Sequence, residues 1–234
     1  MSKTISPKGR RGIPDQLRNF GRHLVYSEGT KTEPYYVDNI KQCIADKYKT
    51  DVNKIELINA NKGKSLTTVA LAKFAINDVN KRVSNGETVD HVWVFYDKDS
   101  FRDEKYKKAF TLIDGLNVTK NDEGIRCDNR GTAWHSLPSN ECFELFLLLY
   151  FNYETSASSR KGYSKKIDKM VQKSNPSFTY AKNLKNIHTT LINAGGSINN
   201  AIKFAKKLEK ANWLDNPSSK AYQFLEYFKL YLNN

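Results

Sequence analysis

Two aspartates one residue apart, Asp97 and Asp99, close a run of β-branched and aromatic residues, His91-Val92-Trp93-Val94-Phe95-Tyr96. Two carboxylates held this close repel each other, and a divalent cation with oxygen ligands, Mg²⁺ or Mn²⁺, stabilises the pair. A third acid, Glu28, ends a shorter apolar stretch, His23-Leu24-Val25-Tyr26. Gly29 after it permits a turn with positive φ and a close approach of backbone to ligand. If both stretches are strands of one sheet, the three acids share an edge. That ligand type suits phosphoryl transfer: metal neutralises the phosphate while one acid serves as general base or acid. The competing reading of Asp-x-Asp is a solvated loop with both acids in water.

Other charges need an explanation too. Glu144 interrupts Phe143-Glu144-Leu145-Phe146-Leu147-Leu148-Leu149. A charge buried there costs several kcal/mol unless it is paired or bound to metal; the alternative is that it lies on the one exposed line of a helix. Glu141 reads as a first-turn acid favoured by the helix dipole. Lys31, Lys62, Lys64 and Lys98 lie near strand ends, where they can hold a phosphate. Gly63-Lys64-Ser65 lacks the first glycine of an ATP-binding loop, since Ile58 stands at that position. It can still meet one phosphate at a helix N-terminus. Arg160-Lys161 and Lys165-Lys166, with Tyr163 between, read either as a backbone-phosphate contact that also stacks a base or as a wet helix face. His135 and His188 have no metal-ligand spacing and read as structural.

The elements that must position these residues alternate. Strands are expected at 23–26, 55–58, 91–97 and 132–137. Between them lie a helix opened by Pro34 through Tyr35, Val37, Ile40 and Ile44 and one capped by Ser65 with Leu66, Val69, Ala70, Phe74 and Ala75 at helical spacing. A third spans about 104–116. An apolar helix follows at 142–150, and then helices at about 163–174, 177–193, 197–213 and 218–232. In the last, Tyr222, Leu225, Phe228 and Leu232 read as core. Strand and helix in alternation predict an α/β fold: a mostly parallel sheet flanked by helices, with a C-terminal helical extension. Three regions result: a basic flexible arm (1–20), an α/β core (21–152) and a helical region packed on it (153–234).

Composition narrows the function. The net charge is +13 over 234 residues, so nucleic acid is the first partner expected and an anionic membrane surface the second. The apolar run at 143–151 is too short to span a bilayer. Lys3, Lys8, Arg10 and Arg11 precede no apolar segment, so no signal peptide is expected and the cytoplasm is the default. Cys43, Cys127 and Cys142 are too dispersed for a disulfide framework or structural zinc.

Several segments resemble the RloB-like family. Ser27-Glu28-Gly29-Thr30-Lys31-Thr32-Glu33-Pro34-Tyr35-Tyr36 is similar to its opening EGxKTEPxYF, and Asp97-Lys98-Asp99-Ser100-Phe101 to its Asp-x-Asp. Ser139-Asn140-Glu141-Cys142-Phe143-Glu144-Leu145-Phe146 resembles SNPCFELW, with Glu141 where Pro is common and Phe146 where Trp is. Asn216-Pro217-Ser218-Ser219 resembles a late Asn-Pro-Ser-Thr. The resemblance implies a Toprim fold and a Mg²⁺-dependent nuclease acting on DNA or RNA, tRNA included, in prokaryotic anti-phage defence by abortive infection. It implies Glu28 as general acid/base, Asp97 and Asp99 as metal ligands, and Glu33 and Glu144 as further site candidates. It also implies an ATPase partner of the ABC/AAA type. A homodimer is compatible with it. The rival expectation is a non-catalytic basic subunit that binds nucleic acid or the ATPase.

Overall fold

A computed structural model describes residues 20–49, 52–60, 66–99, 103–212 and 214–232. Residues 1–19, expected as a basic arm, residues 61–65 with Lys62, Lys64 and Ser65, and Ser100 and Phe101 lie outside them.

The first three strands are β1 (His23–Ser27), β2 (Ile55–Ile58) and β3 (His91–Asp97), joined by helices α1 (Thr32–Tyr48) and α2 (Thr68–Ser84). Helix α3 (Asp103–Asp114) and a small antiparallel hairpin, β4 (Thr119–Lys120) with β5 (Arg126–Cys127), lead to β6 (Ala133–Asn140). The rest is helical: α4 (Phe143–Leu148), α5 (Arg160–Val171), α6 (Ile187–Asn193), α7 (Ile198–Asn212) and α8 (Tyr222–Leu232). A two-residue strand, β7 (Ser218–Ser219), interrupts that region. The sheet order is β2-β1-β3-β6-β7; the first four strands are parallel and β7 is antiparallel to β6. The fold is mixed α/β, a mostly parallel sheet flanked by helices, with a C-terminal helix.

Strand parity divides the core. Val25, Trp93 and Phe95 point to one face, into a cluster with Tyr36, Leu145, Tyr163, Leu191, Phe224 and Phe228. Leu24, Tyr26, Val92, Val94 and Tyr96 point to the other, against Leu71, Ala75, Val79, Tyr106 and Ile113 of α2 and α3. Side chains alternate along a strand, so a sheet buried on both faces needs apolar residues at every position. That is why β3 reads as a continuous apolar run.

Several boundaries differ from expectation. Helix α2 has Thr67 at its N-cap, without a side-chain hydrogen bond. Its buried face is Thr68, Leu71, Ala72, Ala75 and Val79, while Leu66, Val69, Ala70 and Phe74 are half-buried flanks. Strand β6 runs to Asn140, because it pairs with β3 as far as Ser139 and with Ser218 of β7 at Asn140. Residues 177–186 are not helical, and Ser218–Ser219 forms β7 rather than the start of a helix. Glu141 precedes the N-cap Cys142, so the first-turn acid of α4 is Glu144.

Candidate active site

Chain order makes the geometry of the site. From β1 the chain moves outward to β2, then returns past β1 to place β3, and β6 continues on the far side. The switch in direction falls between β1 and β3. In open parallel sheets a crevice forms at such a point, outside the carboxyl ends of the strands. Glu28 follows β1 and Asp97 ends β3. The Glu28 N–H donates to the Phe95 carbonyl at 3.0 Å, so the ladder extends to the acid itself.

The loop after β3 is pinned to β6. Lys98 N–H donates to the Ser139 carbonyl at 2.9 Å and Asp99 N–H to the Glu141 carbonyl at 3.0 Å. Asp99 sits at φ 43°, a left-handed conformation that non-glycine residues adopt rarely and aspartate more readily than most. Lys98 is committed to Asp103 at 2.9 Å.

Parity then separates the acids. Asp97 continues the Trp93–Phe95 face, towards α4 and α5. There its Oδ2 accepts from Arg160 Nη2 at 2.8 Å. The same nitrogen lies 2.7 Å from Asp99 Oδ1, and Arg160 Nε lies 3.5 Å from Glu144 Oε2. Glu144 is buried and also accepts from Tyr180 Oη at 3.3 Å. It has the partners its apolar setting demands and does not lie on an exposed line. Arg160 is placed by the start of α5, where Ser159 caps the helix by accepting from the Gly162 N–H at 3.3 Å. Glu28 starts from the Leu24–Tyr26 face, near Thr68 at the start of α2, yet its carboxylate reaches back to accept from the Asp97 backbone N–H, within range of the Asp99 and Glu33 charges.

Glu33, in the first turn of α1, is buried as well. Gly29 lies against it: a Cβ on Gly29 would stand 2.3 Å from Glu33 Oε2. Gly29 does not have positive φ. The turn needs glycine there to leave room for the Glu33 carboxylate, which corrects the conformational reason expected from sequence.

Crowding so many acids in a poorly hydrated place shifts their titration. Burial, and then the charges of Asp99 and Glu33, push Glu28 up to about 7 against a backbone hydrogen bond at Asp97. Burial, and then Glu144, push Glu33 to about 7, while Arg160 and Lys182 pull it back. Asp97 is driven well above the usual carboxylate range by burial and by Glu33 and Glu144, with Arg160 opposing. Burial disfavours the Arg160 charge, but Asp97, Asp99 and Glu144 outweigh it and hold the guanidinium protonated.

An all-carboxylate set has the chemistry that Mg²⁺ or Mn²⁺ requires, and it holds more acids than its one guanidinium can neutralise. Among the described residues no three acids, histidines or cysteines stand at metal-holding spacing. The cation between Asp97, Asp99 and Glu144 in this structure is Arg160.

A model of the RloB-like protein family matches residues 23–228. The chain belongs to the RloB-like family. Comparisons with curated proteins and with solved structures returned no significant match. The span matched to the RloB-like family includes Glu28, Asp97 and also α5, so Arg160 lies inside the family region.

The remaining expected residues are dispersed. Lys31 is exposed at the N-cap of α1, and Lys62 and Lys64 fall outside the described residues. Tyr163 is buried and donates to Asn216 Oδ1 at 2.7 Å, so it stacks no base. His135 and His188 are internal: His135 pairs with His91 at 3.1 Å, and His188 with Tyr150 at 2.8 Å. The residue that sequence reasoning missed is Arg160 as part of the acid cluster. The signal was the cluster itself, since buried acids require a cation. No helix among the described residues is long and apolar enough to cross a membrane.

Proposed function

We propose that this RloB-like chain is a Toprim-type nuclease that cleaves phosphodiester bonds of DNA or RNA, tRNA included, in prokaryotic anti-phage defence. The observation that carries the reading is that Glu28 and Asp97 follow adjacent strands at the switch point of a parallel sheet, with the Glu28 carboxylate at the Asp97 backbone N–H and Asp99 pinned nearby. Asp97, Asp99 and Glu28 would hold Mg²⁺ or Mn²⁺, which when bound neutralises phosphate charge and orients the attacking and leaving oxygens. The chain's own groups do the rest. Glu28, pushed up to about 7, can take or give a proton at its carboxylate near neutral pH. Arg160, freed from one acid, can turn its guanidinium to a phosphate oxygen in bidentate fashion. Lys31 stands close enough in sequence to Glu28 to bring a further positive charge to the substrate. An ATPase of the ABC/AAA type is the proposed partner.

A second reading rests on the guanidinium itself. Arg160 already neutralises Asp97 and Asp99, as it would in a non-catalytic subunit that binds nucleic acid or the ATPase through its basic surface. A cleavage panel of single- and double-stranded DNA and RNA, tRNA included, with Mg²⁺ or Mn²⁺, separates the two. The nuclease predicts metal-dependent cleavage by wild type that is lost in Glu28→Gln and Asp97→Asn variants with native circular dichroism. Cleavage that survives in both variants contradicts the site.

A further inference from the structure

Positive charge is unevenly placed along the chain. Residues 160–185 contain eight basic residues and a single acid, Asp168, so about a ninth of the chain carries more than half of the net charge of +13. The one acid is engaged, for its carboxylate accepts from the Tyr180 N–H. Both ends of this segment border the acid cluster. Arg160 contacts Asp97 and Asp99 at one end, and Tyr180 contacts Glu144 at the other.

Within it, Lys161, Lys165 and Lys169 recur every fourth residue on α5, and Lys173 lies in the turn just past the end of the helix. All four are exposed, and none forms an ion pair among the described residues. Four residues of helix rise about 6 Å, close to the spacing of successive phosphates along an extended nucleic-acid strand. Like charges at this spacing repel and weaken the helix, so the row costs stability unless something anionic lies along it. The helix buries Tyr163, Ile167 and Val171 on its opposite side and presents no large exposed apolar residue beside the lysines. That favours a phosphate backbone over a lipid surface, which would call for apolar insertion.

We propose that the exposed face of α5 and the turn that follows it form a rail for the sugar–phosphate backbone of a single strand, with Lys161, Lys165, Lys169 and Lys173 each meeting one phosphate on the strand leading to the acid cluster. The proposal rests on the nuclease reading for its direction. Arg160, at the head of the same helix, sets the register between rail and acids.

The test is fluorescence anisotropy of a 20-nucleotide single strand, DNA and RNA in turn, measured in EDTA over a range of salt concentrations. The variant replaces all four lysines by Gln; the control replaces Lys105, Lys107, Lys108 and Lys120, which are equally exposed. Each phosphate contact on a single strand contributes about 0.7 to the slope of log affinity against log salt. The rail variant should therefore lose about 3 from the slope, and the control far less. Equal losses in the two variants would mean diffuse attraction and overturn the rail. So would wild type that binds phosphatidylserine vesicles through these lysines but no oligonucleotide. Cleavage plays no part in this assay, so a failed nuclease reading would appear as slope-selective binding with no metal-dependent cleavage.

Discussion

Arg160 Nη2 lies 2.8 Å from Asp97 Oδ2 and 2.7 Å from Asp99 Oδ1. One nitrogen from the helical region thus holds both aspartates at the end of the central strand. Removing the guanidinium leaves Asp97 and Glu144 buried without their cation; breaking a fully buried pair costs about 3–5 kcal/mol, and the partial exposure of Arg160 and Asp99 puts this site below that. Arg160→Gln should lower the melting temperature in EDTA, and Mn²⁺ should raise it by more than in wild type, because the cation no longer displaces an arginine. Calorimetric melting with and without Mn²⁺ checks this. An unchanged Mn²⁺ response would show that Arg160 and metal do not compete.

Gly29 and Glu33 form a steric pair. A Cβ on Gly29 would stand 2.3 Å from Glu33 Oε2, and overpacking a filled site costs about 1–3 kcal/mol. Gly29→Ala should destabilise by that amount in wild type and by much less beside Glu33→Ala. A urea-unfolding double-mutant cycle reads the coupling. Additive effects would place the clash elsewhere.

Stability should respond to pH in two opposing ways. His23, His91 and His188 are buried and depressed to about 3, about 4 and about 4. Well above pH 6.5 they are neutral in both states. As pH falls from 6.5 towards 4 the unfolded chain takes up protons that the fold refuses, and stability is lost. Taken together, the three histidines cost the fold on the order of several kcal/mol by pH 4. Glu28 and Glu33, raised to about 7, act in the opposite sense. The fold binds their protons first as pH falls from 7 towards 4.5, which stabilises it there. Glu28→Gln/Glu33→Gln should therefore show a steeper fall in urea midpoint between pH 7 and pH 4 than wild type. Parallel curves would remove these two acids from the balance.

Much of the sheet was legible because β3 is buried on both faces and β1 carries Leu24, Val25 and Tyr26 in an unbroken run. The acids at the strand ends followed from the same runs. The phase of α2 was misread because Leu66, Val69, Ala70 and Phe74 and the Leu71, Ala72, Ala75 and Val79 stripe are both apolar at helical spacing, and only packing on the sheet decides which turns inward. Strand β7 is only Ser218–Ser219, and it exists through its pairing with Ser139 and Asn140. No local pattern in Ser-Ser announces it. Arg160 was legible as a basic residue and illegible as the partner of Asp97, because that contact spans 63 residues and depends on where α5 packs.

The most direct test is isothermal titration of Mn²⁺ into wild type and into Asp97→Asn/Asp99→Asn at pH 7, in two buffers of different ionisation enthalpy. A cation site built from these acids requires saturable binding by wild type, loss of binding in the variant, and release of protons from Glu28 and Glu33, raised to about 7, and from Asp97, held well above the usual carboxylate range. Saturable binding of equal strength in both proteins, or no binding to either, would contradict the central claim that Asp97 and Asp99 form a metal-dependent catalytic centre.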